Sequence, residues 1–245
     1  CEECEARPVC CAGVHAAPTE CEGVLGWLQW ARPFVHFNER WTLFPGVRSI
    51  VEIGGNMGLD VGEFVRRFPE AQVFAYEPVP EFFEVLKSQM RSFPLVTVSN
   101  FGVSDSNYTA MFTVDGQSTS DLSLKGRKQV HAAVRDVDWV LSELQRTIGG
   151  VPDVVSLNCE GCEYAVLRRM AERGWIGRVP FLQLSWHVLV DNANRSTLRC
   201  DLERYLRKSY DPIFYSEYFG WQAWQLHGQS AATQVGTSSS AQGGG

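Results

Sequence analysis

The sequence predicts an α/β fold: a mostly parallel sheet with helices on both faces, closed by an antiparallel β-hairpin. Three observations carry this. Short runs rich in β-branched and aromatic residues alternate with longer runs of helical period, the rhythm of βαβ units. A glycine-rich turn joins the first of these runs to the first helix, and two adjacent β runs end the patterned part of the chain.

Taken in order, Ser49–Ile53 is apolar enough for a strand buried on both faces, and residues 60–67 follow as a helix. Gln72–Tyr76 is the second strand, and Pro80–Met90 is a helix with proline at an N-terminal position where no backbone donor is needed. Residues 95–98 make a third strand. Residues 103–124 are turn-rich with one alternating run, 110–114, and read as an insertion, after which 136–144 is helical. Val154–Leu157 is strand four, 163–173 a helix, Phe181–Ser185 strand five and 196–208 a helix. The closing pair is 212–218 and Trp221–Leu226, with Phe219-Gly220 as a two-residue hairpin turn. Trp221 and Trp224 are three apart in a strand and so face opposite sides, which places at least one in the core.

The 245 residues divide into a Cys-rich arm (1–21), an aromatic helical lead-in (22–46), a catalytic-sized domain (47–227) and a flexible tail (228–245) poor in large apolar side chains. The net charge is −6 and no basic block occurs, so nucleic acid is not an expected partner. Residues 179–190, the longest apolar stretch, reach only about half the roughly 20 residues a bilayer span needs, so this segment is not expected to insert. Five of the eight cysteines, Cys1, Cys4, Cys10, Cys11 and Cys21, crowd the arm, and Cys159, Cys162 and Cys200 are dispersed. Disulfides are favoured over zinc because no histidine stands at finger spacing. With the sequons at Asn107 and Asn194, this points to the secretory lumen (Golgi or endoplasmic reticulum) or the exterior, with the cytoplasm as the alternative. A start at Cys1 leads us to expect a processed or truncated chain whose targeting segment is missing from view.

The densest chemical signal is Val51-Glu52-Ile53-Gly54-Gly55-Asn56-Met57-Gly58, at the turn from the first strand into the first helix. A ligand lying across the carboxyl ends of parallel strands must approach the backbone, and glycine permits both the tight turn and that approach. The spacing fails the G-x-G-x-x-G dinucleotide fingerprint, which disfavours a dehydrogenase, and no G-K-[ST] follows for a P-loop. What remains is acid-x-Gly-x-x-x-Gly, with a second acid, Glu77, closing the next strand. In Rossmann-like folds an acid there accepts hydrogen bonds from the ribose hydroxyls of an adenosine.

Together, Glu52-x-Gly54-x-x-x-Gly58, Tyr76-Glu77-Pro78, Asn100-x-x-Val103-Ser104-Asp105 and Asn158-Cys159-Glu160-Gly161-Cys162-Glu163 resemble the FkbM-type methyltransferases of the S-adenosylmethionine-dependent class I fold, over residues 47–187. The resemblance implies a seven-stranded Rossmann-like sheet with its last strand antiparallel, and S-adenosyl-L-methionine as cofactor. Glu52 and the loop Gly54, Asn56, Gly58 would hold its methionine part, Glu77 the ribose, and Gly102, Val103 and Ser104 the adenine. It further implies methyl transfer to an oxygen; the acceptor is expected to be a carbohydrate or small polar hydroxyl compound, glycans being favoured by the lumenal location rather than by the resemblance. Two departures stand out: Asn158 where the family has Asp, and Gln183-Leu184-Ser185-Trp186-His187 where it has a Glu with a nearby His. Neither points to metal assistance, and no metal site is assigned.

A hydroxyl acceptor must lose a proton, and Glu160 and His187 are the candidate catalytic bases, each following a strand at its carboxyl end. Glu163 lies in the first turn of a helix, where a carboxylate is stabilised by the dipole without any function. Cys159 and Cys162 read as two half-buried thiols flanking Glu160, ahead of a redox or zinc pair. The competing reading is a non-catalytic scaffold that keeps the fold and whose active site has decayed at Asn158 and around His187. The sequence leaves the oligomeric state open.

Overall fold

The structure is a computed structural model, and it describes residues 37–115, 118–120, 128–187, 192–216 and 220–228. The Cys-rich arm, most of the lead-in, Asn194's side chain and the tail beyond residue 228 lie outside them. Of the lead-in, Phe37–Thr42 is a 3-10 turn, and Trp41 and Phe44 are buried in the core.

Seven strands form the main sheet. β1 (Ser49–Ile53) lies between β2 (Gln72–Tyr76) and β8 (Val154–Leu157), all parallel, with Val51 opposite Phe74 on one side and Val155 on the other. β3 (Val96–Ser99) extends the β2 edge and β9 (Phe181–Ser185) the β8 edge, again parallel. β11 (Trp221–Leu226) runs antiparallel to β9, and β10 (Tyr210–Tyr215) antiparallel to β11, giving the order β10-β11-β9-β8-β1-β2-β3. This is the doubly wound, Rossmann-like arrangement the sequence predicts. The chain works outward from β1 to β3, then returns to β8 and works outward the other way. The sheet therefore has its switch point between β1 and β8, where such folds open a crevice at the strand ends.

Every residue of β1, β8 and β9 is buried, because helices cover both faces and a parallel strand so covered can be apolar on each side. α1 (Leu59–Arg67) and α2 (Pro80–Met90) pack Phe64 and Leu86 against Ile50, Val73 and Trp221. On the other face α3 (Val137–Ile148), α4 (Glu163–Glu172) and α5 (Asn192–Leu206) pack Leu141, Leu167 and Leu202 against Val51, Leu182 and Trp224. Trp221 and Trp224 thus belong to different cores, as their spacing requires, and both are buried.

Residues 103–124 are not a mere insertion. They contribute to a second, four-stranded sheet of β4 (Gly102–Ser104), β5 (Tyr108–Asp115), β6 (Ser118–Ser120) and β7 (Lys128–Asp136), ordered β4-β7-β5-β6. β7 was not legible: all its residues but Val134 are exposed or half-buried, and pairing with β5 rather than apolar alternation defines it. Other bounds shift. The third strand begins at Val96, α3 runs to Ile148, and α5 starts at Asn192. The closing hairpin is antiparallel as expected, but β10 ends at Tyr215 and β11 begins at Trp221, so the connection is longer than two residues.

Candidate functional site

At the carboxyl ends of β1, β2 and β8 lies a cavity of about 640 Å³, within the ~300–1,000 Å³ range of small-molecule sites. Its wall begins at the β1–α1 turn. Gly54 and Gly55 donate their N–H groups to the Tyr76 carbonyl at 3.0 and 2.9 Å, tying the turn to β2. Gly54 has φ +95°, and a Cβ there would fall 2.0 Å from the Asn158 carbonyl oxygen. Its lack of a side chain is thus demanded by the β8 loop pressing on it. Gly58 (φ +99°) caps α1, and a Cβ there would meet Leu86 at 2.9 Å. It does not line the cavity, so its role is packing α1 against α2 rather than ligand approach.

Glu77 follows β2 directly and is 2% exposed. The Asn56 N–H donates to its Oε2 and the Val79 N–H to its Oε1, both at 2.8 Å. Burial pushes its pKa up to about 7, against the pull of these two donors. The Asn100 amide holds the same turn by donating to the carbonyls of Glu77 and Pro78. Each carboxylate oxygen can accept a second bond, so Glu77, which lines the cavity, keeps acceptor capacity for a pair of hydroxyls. Gly54, Asn56, Gly102, Val103 and Ser104 line it too, with Tyr108, Ala110 and Phe112 of β5 as a wall that the sequence did not reveal. Glu52 is fully buried and does not line the cavity. Burial, then the nearby Asp60 carboxylate, push its pKa well above its ordinary value.

The opposite wall is the loop after β8. Asn158 donates its amide to Asp60 Oδ2 at 3.1 Å. Asp60 Oδ1 in turn accepts from Arg40 Nη2 at 2.7 Å and Trp41 Nε1 at 3.1 Å. The amide at position 158 is therefore fitted to its neighbour: an aspartate would face Asp60 carboxylate to carboxylate, and the carboxylate at this part of the wall is Asp60 instead. Sequence reading took Asp60 only as the start of a helix. Cys159 and Cys162 are not free thiols but a disulfide, with Cα atoms 5.4 Å apart. Cys200 is disulfide-bonded as well.

Between the two loop cysteines Glu160 adopts φ +58° and lines the cavity. The structure brings it to His187, whose Nε2 lies 3.6 Å from Glu160 Oε1. His187 itself does not line the cavity; it stands behind Glu160. Its Nδ1 is 2.6 Å from Oε1 of Glu163, the same oxygen that accepts the Cys159 N–H at 3.2 Å. Glu163 is thus more than a dipole-stabilised helix acid, since it orients the imidazole and the loop together. Burial alone would lower the His187 pKa, but the Glu163 hydrogen bond and charge, then Glu160, raise it above the ordinary imidazole value. Burial raises the Glu160 pKa, His187 pulls it down and Glu163 raises it again, leaving it above its ordinary value. A carboxylate of raised basicity at a cavity wall, backed by a histidine, can accept a proton from a bound hydroxyl. Among the described residues no group of three or more His, Cys, Asp or Glu side chains is placed to hold a metal ion.

No protein-family model and no curated protein matches the chain. Among solved structures, it is similar to cofactor-bound Rv0187 from MTB, at TM-score 0.45 and 16% identity, over 88% of this chain and 92% of that one. It is also similar to the O-methyltransferase TomG from Streptomyces achromogenes, solved in complex with SAM, at TM-score 0.44 and 15% identity over 74% and 72%. A third is the Methanococcus jannaschii fibrillarin pre-rRNA processing protein, at TM-score 0.46 and 9% identity over 75% and 68%.

Proposed function

We propose that the chain is an S-adenosylmethionine-dependent methyltransferase that methylates an oxygen of a carbohydrate or other small polar hydroxyl acceptor. One observation carries the reading: Glu77, at the end of β2, lines the cavity with its carboxylate pinned by two backbone donors and with lone pairs left to accept from a ribose diol. Gly102, Val103 and Ser104 of β4, with Phe112, supply a largely apolar wall for an adenine, and the Gly54–Asn56 turn supplies backbone for the methionine part. Glu52 and Gly58 support that turn from outside the cavity. When bound, the cofactor supplies an electrophilic methyl group on a sulfonium. The chain's own tasks are to align an acceptor, exclude water and remove one proton. Glu160 takes the proton, and His187, positioned by Glu163, stands 3.6 Å behind it to share the charge.

We further propose an oxidising compartment, the secretory lumen or the exterior, on the two disulfide-bonded sites and on the exposure of the sequon residue Asn107. Glycans are accordingly the acceptor pool to try first. The test is methyl transfer from labelled cofactor across glycans, small alcohols and phenols, with Glu160→Gln beside wild type. Loss of the base lowers turnover on the best acceptor about 10²- to 10⁴-fold while cofactor binding persists. Tight cofactor binding with no acceptor methylated favours the non-catalytic scaffold instead.

A further inference from the structure

The disulfide after β8 closes a ring around only two residues, Glu160 and Gly161, whose φ values are +58° and +118°. A non-glycine residue in the left-handed region is strained and persists only where its surroundings over-determine it. Here the ring is the local constraint. The segment is tied at its two ends, by the Asn158 N–H on the Ile53 carbonyl and the Val166 N–H on the Cys162 carbonyl, and Glu160 is the residue carried between them. Both sulfur-bearing residues are partly exposed and line the cavity, whereas Cys200 is buried at 3% exposure. Of the described cysteines, the first pair is therefore the one a dissolved thiol can approach from the cavity side.

We propose that Cys159–Cys162 is a thiol–disulfide exchange site in the cavity wall, whose oxidised form holds Glu160 against His187 and whose reduction releases it. The reductant is a small thiol of the glutathione class. Two such thiols are oxidised to their own disulfide, the Cys159–Cys162 bond breaks, and each sulfur takes up one hydrogen. Freed of the ring, Glu160 leaves the left-handed conformation and its carboxylate leaves Nε2 of His187. Glu163, fully buried on α4, keeps Nδ1. The consequence for catalysis rests on the proposed function, in which Glu160 is the base, and makes the transferase active oxidised and impaired reduced. The structural claim does not depend on it.

The described groups facing His187 are Glu160 from the loop, Glu163 and the Tyr164 hydroxyl from α4, the latter donating to the His187 carbonyl, and the Ser185 backbone of β9. His187 thus reports where Glu160 is, without cofactor or acceptor. Its proton titration by NMR is followed in wild type and in Cys159→Ala/Cys162→Ala, each with and without Glu160→Gln; the double variant leaves the Cys200 disulfide in place. In the disulfide-bonded protein Glu160→Gln lowers the His187 pKa by about 1 unit, the scale of an opposite charge at this range, and in the double variant it lowers it by none. An equal shift in both backgrounds, or none in either, overturns the positioning claim. In parallel, wild type is equilibrated with excess reduced glutathione and its thiols are mapped by alkylation. Cys159 and Cys162 become alkylated before Cys200 does; if they resist, the exchange claim is overturned. Neither outcome depends on whether the chain binds S-adenosylmethionine.

Discussion

Gly54 is fixed by its neighbours before any ligand enters, since a Cβ would sit 2.0 Å from a backbone oxygen of the β8 loop at a φ of +95°. Gly54→Ala should therefore lower stability by about 3 kcal/mol or more, combining overpacking with backbone strain, as read from denaturant unfolding. An unchanged midpoint would mean that the turn yields. Glu77 answers to the opposite pressure. Its folded pKa of about 7 lies above the carboxylate range of an unfolded chain, so its neutral form favours folding at low pH and that contribution is lost as pH rises toward 7. Hydroxyl donors favour the charged form. Cofactor affinity should fall as pH drops below about 7, by up to tenfold per unit, and Glu77→Gln should flatten the dependence. Calorimetry between pH 5.5 and 8 checks this, and a parallel slope in both proteins would remove Glu77 from the linkage. That Gly54 and Glu77 stand at the cavity was legible because each lies at the end of a strand visible in the sequence, whereas Asn56 and the Gly102–Ser104 stretch, which line it too, were expected only from the family resemblance. The position of His187 behind Glu160 was not legible, because it depends on how the β8 and β9 loops meet. Pattern gives the end of each strand and not the order of side chains across a gap.

At the level of elements, the main sheet was readable and the second sheet was not. β1, β2, β8 and β9 are apolar runs because both their faces are covered, whereas β7 is held by its ladder to β5 and carries exposed polar residues. α3 was legible as a helix over 136–144, and the structure adds its cap. Asp136 accepts the Asp138 N–H at 2.8 Å and also receives Arg169 of α4, with Nη2 at 2.6 Å. Burial would raise the Asp136 pKa, but Arg169 and that N–H hold it below the usual value. A depressed carboxylate stabilises the fold above its unfolded pKa and loses that contribution as pH falls through its folded one. Asp136→Ala should cost about 1 kcal/mol for the cap at neutral pH, with the gap from wild type closing in acid below about pH 3.9. A gap that persists there would assign the loss to packing instead.

For the molecule as a whole, the cavity is where the two halves of the sheet part, and the described segment before β1 reaches its wall only through Asp60. Arg40 is 2% exposed, stacks 3.4 Å over Trp41 and 4.5 Å over Trp221, and pairs with Asp60 at the cavity wall. Removing one partner of a buried ion pair strands the other, so Arg40→Ala should cost about 3–5 kcal/mol, measured by denaturant unfolding. A loss below 1 kcal/mol would show Asp60 to be compensated elsewhere. The lead-in was read as helix from its aromatics, and its described end, Phe37–Thr42, is a 3-10 helix held by this tertiary pair with a residue 20 positions on. The central proposal is that the crevice at the switch point binds S-adenosylmethionine through Glu77. Titration calorimetry of that cofactor into wild type and a folded Glu77→Ala variant tests it most directly. Loss of a charge-assisted hydrogen bond should weaken binding about 10- to 150-fold, whereas wild-type affinity in the variant, or no binding to wild type at all, would contradict it.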